Sequence, residues 1–168
     1  MPSTDPTSRI RPPALQAGDI VGIVAPASNV GRDPLEEGCQ TLRNLGYKPF
    51  YFNSIFDQEL YFAGSVDRRA RELEEMFLRD DVRAIICARG GYGSNYLLQE
   101  LDLEKIKRHP KIFVGYSDLT CLLTYFSDAV GFVTFHGPMV TKDFSRQGGV
   151  DLDSWKNAVS GISGGRWK

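Results

Sequence analysis

Cysteine is scarce, with three in 168 residues. Cys39, Cys87 and Cys121 are too widely spaced for a disulfide scaffold. None stands at a C-x-x-C or zinc-type spacing with either of the two histidines, His109 and His136. A metal centre is therefore not expected, and a reducing compartment is. A charge surplus is also missing: 20 Lys and Arg against 21 Asp and Glu leave a net charge of −1, so no overall field favours nucleic acid or an acidic membrane as partner. No run approaches the roughly 20 apolar residues that span a bilayer. The opening Met1-Pro2-Ser3-Thr4-Asp5 has neither a basic segment nor an apolar one behind it. These absences predict a cytoplasmic protein that binds no membrane. What remains is a chain 42% hydrophobic and 24% charged, the balance of one ordinary globular domain rather than a disordered or fibrous chain.

Residues 1–13 carry Pro2, Pro6, Pro12 and Pro13 among small polar residues, too little apolar surface to offset the entropy of ordering, and read as a disordered tail. From Asp19 onward, short apolar runs alternate with amphipathic segments. Strands are expected over 20–25, 49–52, 84–88, 112–116 and 132–135. The first, third and fourth are almost continuously apolar, as in strands buried on both faces of a parallel sheet. Asp33-Pro34-Leu35-Glu36 offers an N-cap, a proline at the first helical position and a capping acid. Leu35, Cys39, Leu42 and Leu45 then recur at helical spacing up to Gly46. Ser65 can cap a second helix with Val66, Ala70, Leu73 and Phe77 on one face, and Leu119, Leu122, Phe126 and Ala129 line another beginning near Asp118. Shorter helices are expected over 95–101, 103–107 and 152–159. The alternation predicts an α/β fold, a doubly wound, mostly parallel sheet with helices on both faces.

In such a sheet ligands bind beyond the carboxyl ends of the strands. Four segments fall there: Pro26-Ala27-Ser28-Asn29, Arg89-Gly90-Gly91-Tyr92-Gly93-Ser94, Ser117-Asp118 and His136-Gly137-Pro138. The glycine-rich segment matches neither a P-loop nor G-x-G-x-x-G. It can turn backbone N–H groups toward an anion or an oxyanion, or serve only as a tight turn that lets a helix pack closely. In Gly115-Tyr116-Ser117-Asp118 a buried strand ends, a serine takes the turn and a helix starts at once, which is the logic of a nucleophile elbow. Leu119 stands where G-x-S-x-G would place its second glycine, and the alternative is that Ser117 or Asp118 merely caps the helix. His136 is placed to act as a base for Ser117, although a hydrogen-bonded histidine at a strand end is the commoner case. His109 precedes strand four on the opposite side. Cys87 and Cys121 read as small core hydrophobes, not nucleophiles.

Together the segments Leu15-Gln16-Ala17-Gly18-Asp19 with Val21 to Pro26, Ile85 to Gly93, Val114 to Thr120 and His136 to Met139 resemble the N-terminal domain of the LD-carboxypeptidases. These are serine peptidases of the muropeptide-recycling and microcin-immunity type. The resemblance covers residues 15 to about 140 and implies a flavodoxin-like sheet, similar to class I glutamine amidotransferases. It implies Ser117 as nucleophile, an oxyanion hole from the backbone amides of Gly91 and Asp118, and no metal or organic cofactor. It implies a murein peptide substrate that loses a terminal D-alanine or, as in the microcin-immunity relatives, an acylated nucleotide, which these motifs do not separate, and a homodimer. Arg89 or the helix N-terminus near Asp118 is expected to read the substrate carboxylate, with Tyr92 walling the pocket and His136 beside the substrate.

In that family the base and its orienting acid, a histidine and a glutamate, lie in a second domain that follows. The expected organisation is thus a nucleophile-bearing domain over 14–150, with 151–168 leading toward that catalytic domain, supplied in cis or in trans. Loss of the base from a serine triad costs roughly a million-fold in rate, so the chain alone is expected to be inactive. Two rivals remain at this point: a non-catalytic domain that holds muropeptides or acyl-adenylates, and a domain in which His136 substitutes as the base.

Overall fold

The computed structural model describes residues 9–161. Five strands, β1 (Ile20–Val24), β2 (Lys48–Phe50), β3 (Val82–Cys87), β4 (Ile112–Gly115) and β5 (Phe135–His136), form one sheet in the order β2-β1-β3-β4-β5. Every neighbouring pair is parallel. Between the strands run helices α1 (Arg32–Asn44), α2 (Val66–Leu78), α3 (Leu103–Lys107) and α4 (Thr120–Tyr125), with α5 (Leu152–Val159) after β5. The fold is the expected doubly wound α/β sheet. Because the chain builds outward from β1 on one side and from β3 on the other, the switch of direction lies between these two strands. There the loops beyond the strand ends diverge and leave a crevice.

The apolar runs form strands because side chains alternate between two buried layers. On β3, Ala84 and Ile86 enter one layer, while Ile85 and Cys87 enter the other. The first layer receives Leu35, Cys39 and Leu42 from α1 and Trp155 and Val159 from α5. The second receives Leu73, Met76 and Phe77 from α2, Ile106 from α3, and Leu122 and Phe126 around α4. Phe77, Phe113 and Phe126 pack ring against ring, with centroids 5.0 to 5.8 Å apart. Helix α2 begins as the sequence predicts: the Ser65 side chain accepts the Arg68 N–H.

Several details differ from expectation. Helix α1 starts at Arg32 with Gly31 at its cap position and no side-chain cap. Asp33 therefore lies inside the first turn, where its carboxylate faces the positive end of the helix, and does not cap it. The predicted helix over 95–101 is a short 3₁₀ turn, Ser94–Leu97, entered through Gly93 at φ 104°. The helix after Ser117 is a 3₁₀ turn (Ser117–Leu119), α4 and a π turn (Phe126–Val130) in succession. A second π turn, Val140–Phe144, follows β5 and was not predicted. The fifth strand is Phe135–His136 rather than 132–135.

Of the segment read as a tail, residues 1–8 lie outside the described residues. Within 9–13, Ile10 bridges Phe132 in parallel, its N–H donating to the Gly131 carbonyl at 2.7 Å. Past residue 150, α5 is packed on the sheet through Trp155 and Val159. Residues 162–168 again lie outside the described residues. No helix among the described residues is long and apolar enough to cross a membrane.

Candidate active site

The crevice between β1 and β3 is built from main chain. Beyond β1, Ser28 is fully buried, its N–H facing the Gly90 carbonyl at 3.4 Å and its hydroxyl the Tyr92 N–H at 3.4 Å. Beyond β3, the Ala88 carbonyl accepts from both the N–H and the hydroxyl of Thr141, each at 2.9 Å. Gly91 holds φ 114°. A Cβ there would run into the Ser28 hydroxyl and come within 2.9 Å of the Tyr61 hydroxyl, so both the backbone angle and the space require glycine.

One strand further, β4 ends at Gly115, Tyr116 is extended, and Ser117 takes φ 62° at the start of the following 3₁₀ turn. Leu60 and Ser117 are the two non-glycine residues with positive φ among the described residues. Such a conformation is held by its surroundings at a cost of about 1–3 kcal/mol. It lifts the Ser117 side chain clear of the sheet, where it is exposed. The glycine-rich loop lies against this elbow: a Cβ on Gly90 would stand 3.2 Å from the Ser117 Cβ.

Asp118 closes the link between loop and elbow. Its carboxylate accepts the Ser94 N–H at 2.9 Å, and its carbonyl accepts the Ser94 hydroxyl at 2.9 Å. No protein acceptor takes the N–H of Gly91 or of Asp118 among the described residues, so both donors remain available to a ligand.

The other sequence-predicted residues are placed less centrally. One Arg89 Nη donates to the Asn29 carbonyl at 3.2 Å, which turns that guanidinium toward the β1 loop. Tyr92 is half exposed, its hydroxyl 3.0 Å from that of Tyr96. His136 pairs with Gly115 in the sheet, and its exposed ring lies 5.9 Å from the Tyr116 ring. It makes no hydrogen bond to Ser117. A cavity of about 610 Å³ opens beside β4 and β5, lined by Tyr116, His136, Pro138, Asp143 and Trp155 among others, and Ser117 does not border it. Asp143 organises its wall, accepting the Met139 N–H at 2.9 Å and the Tyr116 hydroxyl at 3.3 Å. Burial, with this carboxylate second, pushes the Tyr116 phenol upward. Burial also raises the Cys39 thiol to about 11 and pushes Cys87 and Cys121 upward, so none of the three is an activated thiolate. No three His, Cys, Asp or Glu side chains cluster as a metal site among the described residues.

The sequence reading included Ser94 in the glycine-rich segment without giving it a role, and it missed Arg69. Arg69 carried a signal: it stands three residues after Val66 and four before Leu73, on the stripe that α2 buries.

A family model for the LD-carboxypeptidase N-terminal domain matches residues 21–137. The probable murein peptide carboxypeptidase of Bacillus subtilis is 42% identical over 133 residues, 79% of this chain and 42% of that protein. The microcin C7 self-immunity protein MccF of Escherichia coli is 33% identical over 133 residues, 77% of this chain and 39% of its own length. MccF solved in complex with aspartyl sulfamoyl adenosine superposes with a TM-score of 0.87 at 26% identity, over 93% of this chain and 48% of that one. The muramoyltetrapeptide carboxypeptidase of Oxalobacter formigenes gives 0.75 at 30% identity, over 83% and 47%. The chain spans about two fifths of the length of the curated relatives it matches, 42% of the Bacillus subtilis protein. By sequence and by fold, the chain belongs to the LD-carboxypeptidase family, as the family's N-terminal domain.

Proposed function

We propose that Ser117 is the nucleophile of a serine peptidase that removes a terminal D-alanine from murein peptides. The observation that carries this reading is the left-handed Ser117, φ 62°, exposed at the carboxyl end of a buried strand. A structural serine gains nothing from that strain, whereas a nucleophile gains access. In the proposed reaction the Ser117 hydroxyl adds to the carbonyl carbon of the bond between an L-configured centre and the D-residue. A histidine base takes its proton, and the unpartnered Gly91 and Asp118 N–H groups receive the oxyanion. Collapse transfers that proton to the leaving amine and releases D-alanine. Water then hydrolyses the acyl-serine and regenerates the hydroxyl. Arg89 and Tyr92 border the glycine-rich loop and would meet the departing residue.

The base and its orienting acid are proposed to come from outside the described residues, since the exposed His136 ring lies beside Tyr116, 5.9 Å between centroids, and makes no hydrogen bond to Ser117. The 168-residue chain by itself is then expected to turn over roughly a million-fold more slowly than a complete triad. The murein substrate is supported by relatives named murein peptide or muramoyltetrapeptide carboxypeptidase.

The test is release of D-alanine from an L,D-tetrapeptide by a polypeptide that joins this domain to the histidine base and its orienting acid. Ser117→Ala is expected to abolish release; a rate within twofold of the parent would overturn the assignment. A second reading, a domain that binds muropeptides or acyl-adenylates without chemistry, is favoured by there being no base bonded to Ser117 among the described residues and by the MccF complex with aspartyl sulfamoyl adenosine. Calorimetry on the 168-residue chain separates them: tight binding without turnover, in the longer polypeptide too, supports the second.

A further inference from the structure

Arg69 is 2% exposed, yet no carboxylate lies within ion-pair distance of it among the described residues. Its guanidinium is bonded to carbonyl oxygens instead. One Nη donates to Pro26 at 2.8 Å and to Gly93 at 2.9 Å, and Nε faces Gly64 and Ser65 at 3.2 and 3.3 Å. The Phe62 ring covers it, 5.0 Å from the guanidinium carbon. Arginine stays charged in a protein, and a buried charge without a counter-ion is costly. The neighbouring Arg68 follows the usual solution, paired with Glu72 at 2.9 Å.

The carbonyls that hold Arg69 belong to three separate loops. Pro26 follows β1, Gly93 ends the glycine-rich loop after β3, and Gly64 with Ser65 leads into α2. One side chain therefore ties both lips of the crevice to the helix behind them. Gly93 is two residues from Gly91, and the N–H of the intervening Tyr92 faces the Ser28 hydroxyl across the crevice, on the β1 lip that also carries Pro26. From this we infer that Arg69 is a positioning residue: by gripping the Pro26 and Gly93 carbonyls it sets the direction of the Gly91 N–H over Ser117. The inference rests on the hydrolase reading for its catalytic consequence, but its structural content does not. A planar guanidinium suits the task because its donors diverge in a fixed geometry, which an ammonium on a flexible stem lacks.

Two variants in the 168-residue chain test the structural content by amide exchange and chemical shift. Arg69→Met removes the grip; Arg69→Lys keeps the charge and guards against a methionine variant that fails to fold. Both are expected to shift the Gly91 and Gly93 amide resonances and to lower protection of the Ser94 amide by about tenfold or more, with Ile85 and Phe113 in the central strands unchanged. Unchanged Ser94 protection, or an equal loss in the central strands, would overturn the proposal. In a polypeptide that releases D-alanine, the same variants should lower kcat by about a hundredfold, as a slight misplacement of a catalytic donor does, with KM little changed. A raised KM at constant kcat would also overturn it. If the parent polypeptide releases no D-alanine, the hydrolase reading fails by itself, and the exchange measurement still decides what Arg69 holds.

Discussion

Ser94 and Asp118 bond each other twice, backbone N–H to carboxylate and hydroxyl to backbone carbonyl, both at 2.9 Å. The two residues are 24 apart in the chain and belong to different loops, so this reciprocal pair fixes the glycine-rich loop against the Ser117 elbow. Ser94→Ala is expected to cost about 1 kcal/mol of stability, and Asp118→Ala about 1–3 kcal/mol because the Ser94 N–H loses its acceptor. Neither variant removes the Asp118 backbone N–H. In a hydrolysing polypeptide both should lower kcat more than they raise KM; urea unfolding and D-alanine release measure the two effects.

Gly91 combines strain with crowding, and Gly131 separates them. Gly131 has φ 85° with nothing within 4 Å of an added Cβ, while Gly91 has φ 114° and the Ser28 and Tyr61 hydroxyls in the way. Gly131→Ala should therefore show the cost of positive φ alone, about 1–3 kcal/mol, with activity kept. Gly91→Ala should lose as much stability or more and lose hydrolysis as well. Equal activity in the two variants would contradict a role for the Gly91 amide.

The Arg68–Glu72 pair is buried at both ends, with side chains 7% exposed, and the Ser54 hydroxyl donates to the same carboxylate. Two further Arg68 nitrogens, Nε and Nη2, have no hydrogen-bond partner among the described residues. Burial pushes Glu72 upward and Arg68 downward despite the pairing. Glu72→Ala strands a buried cation and should cost about 3–5 kcal/mol, whereas replacing both residues by methionine should be neutral or stabilising. Chemical unfolding of the single and double variants compares the two.

Lys111 is 6% exposed, and its ammonium donates to the Arg79 and Val82 carbonyls at 2.7 Å each. Burial holds its pKa below the ordinary 10.5. Between the lowered folded value and 10.5 the unfolded chain binds a proton that the folded chain does not, so stability rises with pH across that window. The stability difference between the parent and Lys111→Met should grow in the parent's favour from neutral pH toward 10.5. A difference that does not vary with pH would count against the assignment.

Much of the framework was legible because it rests on local chemistry. The apolar runs at 84–88 and 112–116 read as buried strands and are β3 (Val82–Cys87) and β4 (Ile112–Gly115), and Ser65 announced the start of α2. The elements misread are those that neighbours decide. Two-residue β5 exists through its pairing with Val114 and Gly115. The chain turns into α1 at Gly31, ahead of the better capping residue Asp33. The site divides in the same way: Ser117 and the glycines stood out as residues placed just after apolar strands. Arg69 lay hidden among the charges of an amphipathic helix.

The sequence by itself determined the alternation of strands and helices, the serine at a strand end and the glycines that admit positive φ, since each depends on residues adjacent in the chain. Only the tertiary structure decided what these residues meet. A parallel sheet brings the loops beyond β1, β3 and β4 to one edge, and there Arg69 grips carbonyls 43 and 24 residues away. No periodicity or propensity encodes such a contact, because its energy exists only once the sheet has joined its ends.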